Sequence, residues 1–198
     1  MIFAVKPLPE DYLQVLEWIK DLREKLRFST SDSLHRWTGF LARMAFARAI
    51  QGSNTIEGIN VTLDEAVAAV DRELPAKPVD EDWHAVVGYR EAMDYIIQLS
   101  KDPARYVYNT GTLLSLHYMM MKYDLTKDPG RFRPGAIHVT NTATGTIVYE
   151  GPDADLVWGL MDELIASLND SNDSPVIVRA AIAHLNLAMI HPFKDGNG

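Results

Sequence analysis

The chain has 198 residues, 47% hydrophobic and 23% charged, enough for one globular domain with at most a small appendage and a core that needs no disulfides. It contains no cysteine, which excludes disulfide frameworks, thiol catalysis and cysteine-bound zinc and fits a cytoplasmic setting. A net charge of -8 with scattered basic residues argues against nucleic acid as a ligand of this segment, and no run reaches the roughly 18 apolar residues of a membrane span.

The pattern predicts a mostly helical chain. A first amphipathic helix is expected over about 9–27, with Leu13, Val15, Leu16, Ile19, Leu22 and Leu26 on one side. A second is expected over 32–51, its apolar stripe running through Trp37, Phe40, Leu41, Met44 and Ala45 until Arg48 interrupts it. Thr62-Leu63-Asp64-Glu65 is a capping box that opens a helix to about 73. Pro75 and Pro78 mark a break, and Asp80 caps a helix carrying Trp83, Val86, Val87, Tyr89, Ile96 and Ile97. A further helix covers about 110–122.

The stretch 131–151 changes character. Ala136 to Val139 and Thr146 to Tyr149 are β-branched and apolar, and the turn between them ends at Gly145, a hairpin pattern in which the glycine takes a positive φ. A helix follows over about 153–168. Ser174 is the expected N-cap and Pro175 the first position of the next helix, Val176 to Ile190, which is apolar on most sides and reads as the buried centre of a bundle. His191-Pro192 stops it. His184 shares a face with His191, seven residues on, and reads as a core histidine rather than half of a metal pair.

The chain then presents His191-Pro192-Phe193-Lys194-Asp195-Gly196-Asn197-Gly198. His191 supplies an imidazole, the side chain suited to take a proton from an attacking hydroxyl. Asp195 is a hard oxygen ligand for a magnesium ion that rides on substrate phosphates. Gly196 and Gly198 let the backbone approach an anion closely, Asn197 can offer its amide to a phosphate oxygen, and Phe193 can plug the core and fix the loop.

This string resembles the signature of the Fic (Fido) family, His-Pro-Phe-x-Asp/Glu-Gly-Asn-Gly-Arg. The resemblance extends to Val178–His184, similar to the family's central helix, and to Asp128-Pro129-Gly130-Arg131-Phe132-Arg133, similar to the lead-in to its β-hairpin flap. It covers about 30–198. It implies an all-α Fic-type bundle with one hairpin, here residues 31–198 behind a helical extension over 1–30. The family's arginine that follows Asn-Gly would come after Gly198, so the reading is of a domain cut within its catalytic motif.

The resemblance implies a protein adenylyltransferase that uses ATP and Mg²⁺ and a protein substrate. His191 would be the base and Asp195 the metal ligand. Phe193, Lys194, Gly196, Asn197 and Gly198 would form the phosphate-binding loop. The flap residues His138, Val139, Thr140, Asn141 and Tyr149 would dock the target by strand addition. Ser53-Asn54-Thr55-Ile56-Glu57-Gly58 resembles the family's inhibitory motif, which assigns restraint to Ser53, Glu57 and Gly58 and places the chain in the subclass with an N-terminal inhibitory helix. Auto-modification and a homodimer are further readings. Removal of AMP, transfer of another phosphate-containing group and a non-catalytic nucleotide-binding or regulatory module stay open beside it.

Overall fold

The computed structural model of the chain describes residues 2–31, 35–56, 58–75, 79–102, 106–141, 143–170 and 174–197, with the backbone alone for 27–31 and 35–38. Among the described residues the elements run α1 Glu10–Ser31, α2 His35–Ile56, α3 Leu63–Asp71, α4 Glu81–Leu99, α5 Thr110–Met121, a 3₁₀ turn Leu125–Lys127, β1 His138–Thr140, β2 Ile147–Glu150, α6 Ala154–Asn169 and α7 Val176–Ile190. This is the all-α bundle with one hairpin that the sequence predicts. No helix among them is long and apolar enough to cross a membrane.

Local chemistry sets most boundaries. The Thr62 hydroxyl accepts from the Glu65 amide while the Glu65 carboxylate accepts from the Thr62 amide, closing the capping box of α3. Asp80 accepts from the Trp83 amide at 2.9 Å, and Asn109 does the same for Thr112 at the start of α5. α2 runs to Ile56, five residues past the expected end at 51, because a Schellman closure waits there. Ile59 donates to the Asn54 carbonyl and Gly58 to that of Thr55, with Gly58 at φ 81°. At α7, Pro175 stands at the N-cap rather than at the first helical position expected for it.

Two cores lie side by side. Ala47 and Ile50 of α2, Ala66 and Ala69 of α3, and Trp83 and Val86 of α4 form the first. Val157, Met161 and Leu164 of α6, Ile190 of α7, and Phe132 and Phe193 from the connecting loops form the second. Full burial of a side chain such as Ile50 or Leu164 contributes about 1.5–3 kcal/mol. Helix α5 bridges the two cores, touching α4 on one side and α6 on the other. Gly88 permits the α4–α5 approach, since a Cβ there would lie 2.5 Å from the Met120 carbonyl oxygen.

Three sequence expectations are corrected. The stripe expected to pack α2 is turned outward at Phe40 and Leu41. The buried face is the neighbouring one, through Ala47, Ile50 and Asn54, where small side chains admit α3 and α4. Trp37 lies outside the described side chains. Among the described side chains of α1 only Leu16 and Ile19 are half-buried, near Pro175, Val176 and Ile177, while Leu13, Val15, Leu22 and Leu26 face outward. α7 is packed on one side only, through Ala183, Leu187 and Ile190, so Val176, Ile177, Leu185 and His184 are exposed and His184 is no core histidine.

Candidate functional site

The terminal loop is built on the end of α7. His191 takes a left-handed conformation, φ 50°, ψ 59°, and its amide still donates to the Leu187 carbonyl at 2.9 Å, so it ends the helix while facing out of its last turn. Its Nδ1 lies 3.3 Å from the Ala188 carbonyl oxygen. A carbonyl can only accept, so the proton of neutral His191 sits on Nδ1 and Nε2 carries the basic lone pair.

Arg133, 4% exposed, fixes this end of the helix. Its guanidinium donates to the carbonyls of His191 at 2.8 Å, Gly135 at 2.6 Å and Pro152 at 2.5 Å, and its own amide donates to Pro192 at 2.8 Å. Burial lowers its pKa from the ordinary arginine value, though arginine stays charged. One side chain thus ties the loop to both ends of the hairpin segment.

Phe193 is 3% exposed and its ring stacks on that of His117, centroids 3.7 Å apart and planes 6° from parallel. The His117 nitrogens are both engaged. Nδ1 accepts from the Gly130 amide at 2.8 Å, which obliges Nε2 to carry the proton and donate it to the Asp195 carbonyl at 2.9 Å. Burial lowers the His117 pKa, outweighing the contacts to Asp195 that raise it.

Asn197, expected to offer its amide to phosphate, is instead turned inward at 5% exposure. It accepts from the Phe193 amide at 2.8 Å and donates to the Phe193 carbonyl at 3.0 Å, closing the loop on itself. Phe193 likewise serves as the plug rather than as a phosphate contact. Lys194 is exposed and pairs closely with Asp128. Gly198 lies outside the described residues.

Asp195 and Gly196 reach a pocket of about 210 Å³ that also meets Ser53 and Asn54 of α2, Glu81, Asp82 and Tyr89 of α4, and Met121 and Tyr123. The Ser53 and Tyr89 hydroxyls share a hydrogen bond of 2.8 Å. Burial first, then the charges of Asp195, Glu81, Asp124 and Asp82, raise the Tyr123 pKa and keep its phenol neutral. With Glu81 and Asp82 on its wall the pocket itself is a poor seat for phosphate. Gly196 has φ 69°, and a Cβ there would sit 3.0 Å from the Met121 sulfur. Of the expected inhibitory residues, Ser53 comes to this pocket, Gly58 ends α2 away from it, and Glu57 lies outside the described residues.

The metal question turns on Asp195. No group of three or more His, Asp or Glu side chains gathers to hold an ion among the described residues. The Asp195 carboxylate is 45% exposed, takes the Gly196 amide on one oxygen at 2.9 Å and meets Lys127 with the other. A single accessible carboxylate suits magnesium that brings its other ligands as phosphate oxygens and water.

The hairpin pairs His138 with Glu150 and Val139 with Tyr149, then a bulge brings Thr140 opposite Ile147, with Gly145 at φ 68° as expected. His138, Val139 and Thr140 are exposed. Two residues expected to dock a target do other work. Asn141 accepts from the Ala143 amide with its side chain and from Gly145 with its carbonyl, shaping the tip. Tyr149 donates its hydroxyl to the Met189 carbonyl, anchoring the flap to α7. Sequence reasoning missed His117, Arg133 and Lys127 as parts of the site. Arg133 stood within a recognised motif, and His117 and Lys127 had no pattern to announce them.

The sequence profile of the Fic/DOC family matches residues 108–198. Among curated proteins, the protein adenylyltransferase Fic of Nematostella vectensis is 26% identical over 93% of this chain and 42% of its own length. That of Drosophila persimilis is 29% identical over 98% of this chain and 36% of its own. The chain thus spans well under half the length of these relatives. Among solved structures, a Fic family protein from Desulfovibrio desulfuricans G20 superposes with a TM-score of 0.71 at 23% identity, covering 97% of this chain and 55% of that one. A Fic domain containing signaling protein from Bacteroides thetaiotaomicron also gives 0.71, at 20% identity, over 90% of this chain and 67% of that one, a likeness of fold. The profile match, the likeness of fold and the loop held at the end of α7 converge: over residues 108–198 the chain is similar to the Fic/DOC family.

Proposed function

We propose that this domain transfers AMP from ATP to a hydroxyl side chain of a target protein. The observation that carries the reading is the loop at the end of α7. There, a basic Nε2 on His191 and an accessible carboxylate on Asp195 are held by Arg133, His117 and Asn197. Relatives named protein adenylyltransferase support it.

In this reading the target hydroxyl gives its proton to Nε2 of His191 as its oxygen bonds to the α-phosphorus of ATP. The bridging bond to the β-phosphate breaks, and pyrophosphate leaves with the electron pair. Such chemistry depends mainly on positioning and charge neutralisation. Magnesium, when bound, neutralises phosphate charge, and Asp195 is the residue that would hold it. The glycine-bracketed backbone of the loop would approach the phosphates, and the exposed edge at His138, Val139 and Thr140 would take the target backbone.

The end of α2 supplies the restraint. Ser53 and Asn54 line the pocket reached by Asp195 and Gly196, which supports an inhibitory part for Glu57 just beyond. We keep 1–30 as an extension of the domain, supported by the outward apolar side of α1. A cytoplasmic reaction, self-modification and a homodimer complete the reading.

The test is intact-mass detection of added AMP with Mg·ATP, on a full-length version that includes any residues following Gly198. Labelling by Glu57→Gly that is lost in Glu57→Gly with His191→Ala supports transfer and restraint together. Labelling that persists without His191 contradicts the assigned base. AMP leaving a pre-modified target, with none added, would replace transfer by removal.

A further inference from the structure

The loop and the turn before the flap are joined by two ion pairs that cross between neighbouring residues. Lys127 meets Asp195, and Asp128 meets Lys194. Lys127 Nζ lies 3.0 Å from Oδ2 of Asp195, the oxygen not taken by the Gly196 amide. The turn that presents it is itself braced. Asp124 accepts from the amide and hydroxyl of Thr126, and Asp128 follows in the left-handed conformation, φ 52°. Lys127 is therefore delivered to Asp195 by a short rigid turn, and the contact raises the Lys127 pKa above the ordinary lysine value.

We propose that Lys127 is the resident counter-ion of Asp195, occupying the carboxylate before a divalent cation arrives and yielding it when one binds. This rests on the reading of Asp195 as the metal ligand. Magnesium demands an oxygen at about 2.0–2.1 Å in near-octahedral geometry. A lysine ammonium on the same oxygen competes for its lone pairs and repels the incoming double charge. With Lys127 in place, Asp195 is neutralised and does not repel a nucleotide that arrives without metal. With metal bound, Lys127 must move aside, and its side chain, 41% exposed, has solvent to move into. Lys127 is thus a positioning residue that sets how strongly nucleotide binding depends on metal.

The experiment is calorimetric titration of the chain with the non-hydrolysable ATP analogue AMP-PNP, once with Mn²⁺ and once with EDTA. The quantity read is the ratio of the two dissociation constants. Lys127→Met is expected to raise the metal-dependence ratio about two- to five-fold, the range open to a partly exposed ion pair. Lys127→Arg, which keeps the charge, and Lys122→Met, which removes a lysine paired with Glu91 instead, should leave it unchanged. If Lys127→Met leaves the ratio unaltered or weakens Mn·AMP-PNP binding, Lys127 is a bystander or a phosphate ligand and the proposal fails alone. Asp195→Asn separates the two claims. Loss of the Mn²⁺ effect in that variant keeps Asp195 as the metal ligand, whereas a persisting effect removes the ligand assignment and this inference with it.

Discussion

His117 and His191 carry their protons on opposite ring nitrogens. A carbonyl at Nδ1 of His191 makes that nitrogen the donor and leaves Nε2 basic, whereas an amide at Nδ1 of His117 makes it the acceptor and puts the proton on Nε2. The same type of side chain thereby presents a basic nitrogen at the end of α7 and serves as a fixed strut beneath the loop. The strut has a pH signature. Burial depresses the folded His117 pKa below its unfolded value near 6.5. The unfolded chain therefore takes up a proton that the folded chain refuses. Stability is full above about pH 6.5 and is lost as pH falls from there through the lower folded value. Urea unfolding at pH 7.5 and 5.5 should show this loss in the native protein and a smaller one in His117→Gln. Equal losses in both would assign the effect to other groups.

Arg133 makes contacts that need a planar fork. Lysine keeps the charge but offers three donors from one point and cannot reach His191, Gly135 and Pro152 together. Arg133→Lys is expected to cost about 1–3 kcal/mol in thermal unfolding. It should also lower AMP transfer more than nucleotide affinity, because it loosens the His191 carbonyl rather than a phosphate contact. A variant with unchanged turnover would show that the αL turn at His191 holds without it.

Two glycines with nearly the same φ separate strain from crowding. Gly145, at 68°, has nothing within 4 Å of where a Cβ would be, so Gly145→Ala meets only the left-handed penalty of about 1–2 kcal/mol. Gly196, at 69°, would add contacts at 3.0 Å to the Met121 sulfur and 3.5 Å to His117 Nε2. Gly196→Ala should therefore destabilise more and abolish transfer, while Gly145→Ala keeps it. Melting temperatures of the pair are the check, and equal shifts would mean that Met121 yields freely.

Asn186 staples the N-terminal segment to the middle of α7. It accepts from the Phe3 amide at 2.7 Å and donates to the Phe3 carbonyl at 2.9 Å, at 1% exposure. Asn186→Leu, of similar volume, leaves both groups of Phe3 without these partners. Amide exchange at Phe3 should rise by about tenfold or more, as expected from two lost bonds of roughly 1 kcal/mol each. Exchange at Leu187 and Ile190 should stay slow. Unchanged exchange at Phe3 would mean that Ile2 alone holds the segment.

What could be read from the sequence was local. Thr62 with Glu65, Asp80, Gly145 and the stop at His191-Pro192 each act within a few residues, so a short window contains the whole cause. What escaped was long-range contact with backbone. His117 meets an atom 78 residues away, Arg133 one 58 away and Asn186 one 183 away, and each partner is a main-chain group that any residue would supply. Such contacts leave no trace in the partner's identity. The packed face of α2 escaped for a different reason. The larger apolar residues Phe40 and Leu41 lie on the outer side, while Ala47 was chosen for how closely its neighbours approach rather than for its own hydrophobicity.

The missing methyl group at Gly88 has a reach beyond the helix pair it joins. Ala85 and Tyr89 on α4 and Met120, Met121 and Tyr123 all line the pocket that Asp195 enters, and between them on α4 Gly88 leaves no room for a Cβ against the Met119 and Met120 carbonyls. The aperture available to a ligand is therefore calibrated at a position that no ligand touches. Any side chain larger than hydrogen there would wedge the walls apart and retune the opening without altering a single lining residue.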